Sequence, residues 1–143
     1  MALQLINAAL KEHARDLRLI TARGFALAGL QRTDESLGAF EAALRINSDF
    51  IPALRGAAQT GYAARDPRTM RFIKRLIELD PSEATARSMA GVLAYEAGDY
   101  SAAASHFEAG RSATEANPQA SAVYGACLSK LKRPQEAVLA FHR

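Results

Sequence analysis

A chain of 143 residues, 49% hydrophobic with alanine prominent and only 7% aromatic, has the material for one domain of ordinary size and favours helix throughout. One cysteine excludes an internal disulfide and a cysteine-based metal site. A net charge of +3 is too mild for a nucleic-acid binder, and no segment approaches the ~20 apolar residues of a membrane span.

The opening residues MALQLINAALKEHARD lack the basic start, long apolar block and small-residue cleavage site of a secretory signal, so a cytoplasmic setting is expected. They read as a helix with Leu3, Ile6 and Leu10 along it. Further on, Asp34 and Glu35 suit the start of a helix, where capping and the dipole favour carboxylates. Pro52 and Pro81 fall near helix starts. Asp66-Pro67 and Asn117-Pro118 put a capping side chain before a proline, whose missing N–H is harmless in a first turn. Between them SEATARSMAGVLAYEA reads as a helix, Gly98 ends it, and Asp99 can cap the next.

A spacing of small residue, three others, then a large apolar residue recurs along these elements. It runs from Ala2 to Ile6, Ser36 to Phe40, Thr69 to Ile73, Ala103 to Phe107 and Ala137 to Phe141, in steps of 34, 33, 34 and 34 residues. A second landmark, a small residue inside a helix, keeps the same period at Gly24, Ala58, Gly91 and Gly125. Two landmarks in one period indicate a repeat array of helix pairs, in which small residues let helices approach and a single large side chain fills the gap. The one-residue deletion in the second repeat fits the turn around Arg65 to Pro67.

The chain therefore resembles the tetratricopeptide repeat family. The first full unit supplies Ile20, Gly24, Leu27, Ser36, Phe40, Ala43 and Leu44, with Ser48 where proline is usual. The second supplies Leu54, Ala58, Ile73, Leu76 and Pro81, but has Gly61 in place of the large residue and Thr69 in place of alanine. The third supplies Gly91, Ala103 and Phe107, with Gly110 for the usual alanine and Glu115 for proline. Tyr124, Gly125, Leu128, Ala137 and Phe141 come from the fourth. The resemblance implies an all-α, right-handed α-solenoid of helix–turn–helix repeats (an α-α superhelix) forming a single array over residues 1–143. Its parts are the second helix of a partial unit (1–16), full units at 17–50, 51–83 and 84–117, and a truncated unit at 118–143. With both ends in mid-unit, a segment of a larger array or multidomain protein is expected. The alternative is that Leu3, Ile6 and Leu10 at one end, and Val138 and Phe141 at the other, pair with another copy or a partner.

Chemistry finds no foothold. There is no phosphate-cradling Gly-rich loop and no nucleophile elbow. His13, His106 and His142 lack a second ligand at metal-site spacing, so no metal and no cofactor is expected. Cys127 has no base or orienting partner in sight and reads as a small packing residue. Arg68, Arg71 and Arg75 share a helical face, beside Arg65 and Lys74. Without accompanying aromatics they read as a solvated outer face, balanced in part by Glu78, Asp80 and Glu83.

The family resemblance implies instead a non-enzymatic scaffold that binds a peptide or protein segment on a concave groove lined by first helices. Carried over by register, the groove comprises Arg18, Thr21 and Phe25; Arg55, Gln59 and Tyr62; Ser88, Val92, Tyr95 and Glu96; and Ala122, Ala126, Ser129 and Lys130. Tyr62 and Tyr95 hold equivalent places, and with Arg55 they are the expected anchors. Members that clamp a chaperone's terminal carboxylate carry Lys and Asn where Thr21 and Phe25 stand, and Asn, Lys and Arg where Gly56, Thr85 and Met89 stand. A chaperone-tail receptor is therefore not expected. Two rivals remain: a substrate-presenting accessory array of a larger bacterial enzyme, such as a sulfotransferase or glycosyltransferase, and a module that self-associates through its uncapped ends.

Overall fold

The structure is a computed structural model that describes residues 2–131; Lys132, Ala137, Val138, Phe141 and His142 lie outside them. Regular structure among the described residues is entirely helical. The helices are α1 (Ala2–Glu12), α2 (Leu17–Gly29), α3 (Thr33–Ile46), α4 (Ile51–Ala64), α5 (Thr69–Leu79), α6 (Ala84–Glu96), α7 (Tyr100–Ala109), α8 (Arg111–Ala116) and α9 (Pro118–Lys130). The chain divides into two compact units, Met1–Leu79 and Asp80–Arg143.

In unit 1 the core is built on Phe40, which is fully buried. A Cβ placed on Gly24 of α2 would lie 2.6 Å from its ring, and one on Gly56 of α4 would lie 2.5 Å away. Two glycines from two helices therefore admit one aromatic from a third, α3. The buried hydroxyl of Ser36 donates to the Gly24 carbonyl at 2.7 Å, pinning α3 to α2 at the same level. Leu27, Leu37, Ala43, Ala53, Ala57, Ala58 and Ile73 are the other fully buried apolar residues of the unit. Helix α1 has no buried residue; Leu3, Ile6 and Leu10 are half-buried and Leu5 is 71% exposed.

Unit 2 repeats the device. Phe107 of α7 is fully buried against Gly91 of α6, where a Cβ would lie 2.7 Å from the ring. Tyr124 of α9 packs on the same ring, centroids 5.6 Å apart, and its hydroxyl lies 3.1 Å from Glu108 Oε1. The second helix of the third repeat does not run through. It breaks at Gly110 into α7 and α8, and α6 approaches so closely there that a Cβ would meet Arg87 Cβ at 2.6 Å and the Ala84 carbonyl at 2.8 Å. The buried hydroxyl of Thr114 lies within donating distance of the Phe107 carbonyl, at 3.2 Å, and of the Gly110 carbonyl, at 3.1 Å, which also accepts from the Thr114 N–H.

The turns keep the repeat as well. Gln31 (φ 60°), Arg65 (φ 54°) and Gly98 (φ 85°) all adopt the left-handed conformation, though only one is glycine. The N–H groups of the following residues, Arg32, Asp66 and Asp99, donate to the carbonyls of Leu27, Gly61 and Ala94, each at 2.9 Å. From Arg32 to Asp66 the step is still 34 residues, while from Ser36 to Thr69 it is 33. The missing residue thus lies between Asp66 and Thr69. Asp66 accepts from the Arg68 N–H at 2.9 Å, and its carbonyl accepts from the Thr69 hydroxyl at 2.7 Å. Asp99 and Asn117 cap as expected: Asp99 accepts from Ala102 N, and Asn117 from Gln119 N and Ala120 N.

Candidate functional site

In unit 1 the surface residue that stands out is Phe25 on α2. Its ring meets Phe40 edge-on, with centroids 5.0 Å apart at 77°, yet it remains 46% exposed. It reaches across to α4, where the absent side chain of Gly56 makes room: a Cβ there would lie 2.9 Å from Phe25 Cζ. Arg55 and Gln59, either side of Gly56 in sequence, are exposed, as is Arg18 two turns before Phe25 on α2. Tyr62 is half-buried, and the Arg65 guanidinium stacks on its ring at 4.3 Å from the centroid while donating to the Tyr62 carbonyl at 2.5 Å. That stacked cation comes from the left-handed turn residue, which periodicity alone does not place.

Thr21, Ser88 and Val92 are not surface groups. Thr21 is 5% exposed, and its hydroxyl is buried without a hydrogen-bond partner among the described residues. Ser88 is 8% exposed because Gly110 comes close to α6 at this level; Val92 is 3% exposed beside Gly91, where Phe107 packs. In unit 2, Tyr95 is half-buried with its ring 5.4 Å from that of Tyr100, while Glu96, Ala122, Ser129 and Lys130 are exposed and Ala126 is half-buried.

The chain matches no family model, and no curated protein matches it. Solved structures do. A crystal structure of MamA protein is 15% identical, with a TM-score of 0.86 over 99% of this chain and 78% of its own. A double mutant of MamA RS-1 is 12% identical, with a TM-score of 0.88 over 98% of this chain and 79% of its own. MamA from Desulfovibrio magneticus RS-1, residues 41 to the end, is 12% identical, with a TM-score of 0.86 over 98% and 80%. The likeness shows the fold. MamA and this chain share an all-helical solenoid of the helix–turn–helix repeat type, the fold class expected from the repeat.

Elsewhere, side chains with reactive potential are tied into packing. Cys127 is buried and its Sγ lies 2.8 Å from the Tyr100 carbonyl. His106 is half-buried, its Nδ1 without a partner among the described residues; burial, and then the nearby Arg87 charge, lower its pKa, with Asp99 opposing. His13 is exposed. Among the described residues no three His, Cys, Asp or Glu side chains gather as a metal site would require, and no helix is long and apolar enough to cross a membrane. The arginine stripe of α5 is laced with carboxylates. Arg68 pairs with Asp66 at 2.8 Å, Glu41 at 2.9 Å and Asp34 at 3.4 Å. Arg71 reaches Glu41 at 3.5 Å, and Arg75 pairs with Asp49 and with Glu78 at 2.8 Å.

Proposed function

We propose that the chain is a non-enzymatic scaffold that docks a peptide or protein segment on the α2–α4 face of unit 1. Phe25 is the apolar anchor, with Arg18, Arg55, Gln59 and Tyr62 orienting the bound chain. In unit 2, Tyr95, Glu96, Ser129 and Lys130 offer a further surface of the same kind. The observation that carries this reading is Phe25: a phenylalanine 46% exposed, seated on Phe40 and fitted into the gap at Gly56. Covering the rest of that ring would remove roughly 90 Å² of apolar surface from water, worth ~2 kcal/mol at ~25 cal/mol per Å². The ring is already held in place, so little ordering opposes binding. A helical repeat array presents such faces as extended binding surfaces.

Peptides selected from a random library on the wild-type chain test this by fluorescence anisotropy. Phe25→Ala and Arg55→Ala, each with an unchanged helical circular dichroism spectrum, are expected to weaken binding by about tenfold. Selected peptides that bind both variants as tightly as wild type would overturn it.

A further inference from the structure

Unit 1 contains a second concavity, a cleft of about 480 Å³ between α3 and α5. Its floor is apolar. Leu54 of α4 and Phe72 of α5 are 2% and 3% exposed, and half-buried Leu44 of α3 adds a wall. The volume falls in the range of ligand pockets, about 300–1,000 Å³, and holds one or two large side chains.

The rim is charged, and its carboxylates are already engaged. Glu41 receives Arg68 and Arg71, and Glu78 receives Arg75. Two rim cations, Arg45 and Lys74, are exposed and have no ion-pair partner among the described residues. The mouth thus carries excess positive charge over a hydrophobic floor. A phosphate backbone fits poorly, because Glu41 and Glu78 interrupt the positive track. An apolar side chain flanked by carboxylates matches both features at once.

We propose that the α3–α5 cleft is a docking site for an acidic peptide segment bearing a leucine or phenylalanine. The apolar side chain lies on Leu44, Leu54 and Phe72, and its neighbouring carboxylates meet Arg45 and Lys74. This site is separate from the Phe25 face and does not depend on it.

The probe is a fluorescein-labelled peptide, Asp-Glu-Asp-Leu-Phe-Asp-Glu-Asp, titrated with the whole chain and followed by anisotropy. Saturable binding is expected, and the exposed double variant Arg45→Glu with Lys74→Glu should weaken it by about tenfold or more while circular dichroism is unchanged. Replacing Leu-Phe in the peptide by Ser-Ser should lose a similar factor, and Phe25→Ala should change nothing. Four results overturn the proposal: the peptide does not bind, the charge-reversed chain binds within about twofold of wild type, the serine peptide binds equally well, or an oligothymidylate of matched length binds as tightly.

Discussion

Replacing Gly24 by alanine should destabilise unit 1, although alanine is the better helix former. The added Cβ would sit 2.6 to 2.8 Å from Cε1, Cδ1 and Cζ of Phe40, about 1 Å inside the ~3.5–4.0 Å separation that carbon atoms prefer. Phe40 has no room to retreat, because the Cβ position of Gly56 is already 2.5 Å from Cε1 and Cζ of the same ring. Overpacking of this kind costs ~1–3 kcal/mol, against a propensity gain of ~1 kcal/mol, leaving a net loss of up to ~2 kcal/mol. Gly38 on α3 is the control, since a Cβ there meets nothing within 4 Å. Gly38→Ala should stabilise by up to ~1 kcal/mol. Urea titrations followed by circular dichroism would show midpoints moving in opposite directions. In a Phe40→Leu background the Gly24→Ala penalty should largely vanish, as the coupling of two touching residues requires. A Gly24→Ala midpoint that rises like that of Gly38→Ala, or a penalty that persists without the phenyl ring, would refute the reasoning.

Two further expectations concern the turns. The side-chain hydrogen bond of Arg68, and then its backbone N–H, hold the Asp66 carboxyl at about 2, against an ordinary value of 3.8. The stability this contributes is complete above about pH 4 and is lost as the pH falls toward about 2. Full conversion gives ~2.5 kcal/mol; with Arg68 one-third exposed, solvent screening reduces it to about 1 kcal/mol. Acid titrations of Asp66→Asn should lack that loss, and identical acid profiles would contradict the assignment. At Gln31, φ of 60° penalises any side chain, so Gln31→Gly should stabilise by ~0.5–1 kcal/mol and raise the denaturation midpoint. A lower midpoint would show that Gln31 makes a compensating contact.

What the chain reveals without coordinates is the part of the fold made by volume at fixed spacing. Gly24 with Phe40, and Gly91 with Phe107, are a void and its filler, legible as the same residue sizes recurring two periods apart. The caps at Asp99 and Asn117 are legible for a similar reason, being local. The break at Gly110, where α6 comes close, is not, because the letter at that position is merely small. Register likewise assigns Thr21, Ser88 and Val92 to a groove, while their burial is decided by neighbours from other helices. Of the carboxylates that neutralise Arg68, Arg71 and Arg75, only Asp66, two residues from Arg68, and Glu78, three from Arg75, are near in sequence. Asp34, Glu41 and Asp49 lie on α3 or just after it, at distances along the chain that no local pattern reports. The cleft that Glu41 lines was hidden for the same reason.

The placement of Phe40 also bears on how the chain folds. Its two glycine neighbours lie 16 residues before it and 16 after. This close packing of one ring against two glycines therefore closes two short loops of equal length, with a small entropic cost for each. Topologies dominated by such local contacts fold quickly. The ring's two glycine partners and Phe25 are all present as soon as α4 has been synthesised, before α5 or any part of unit 2.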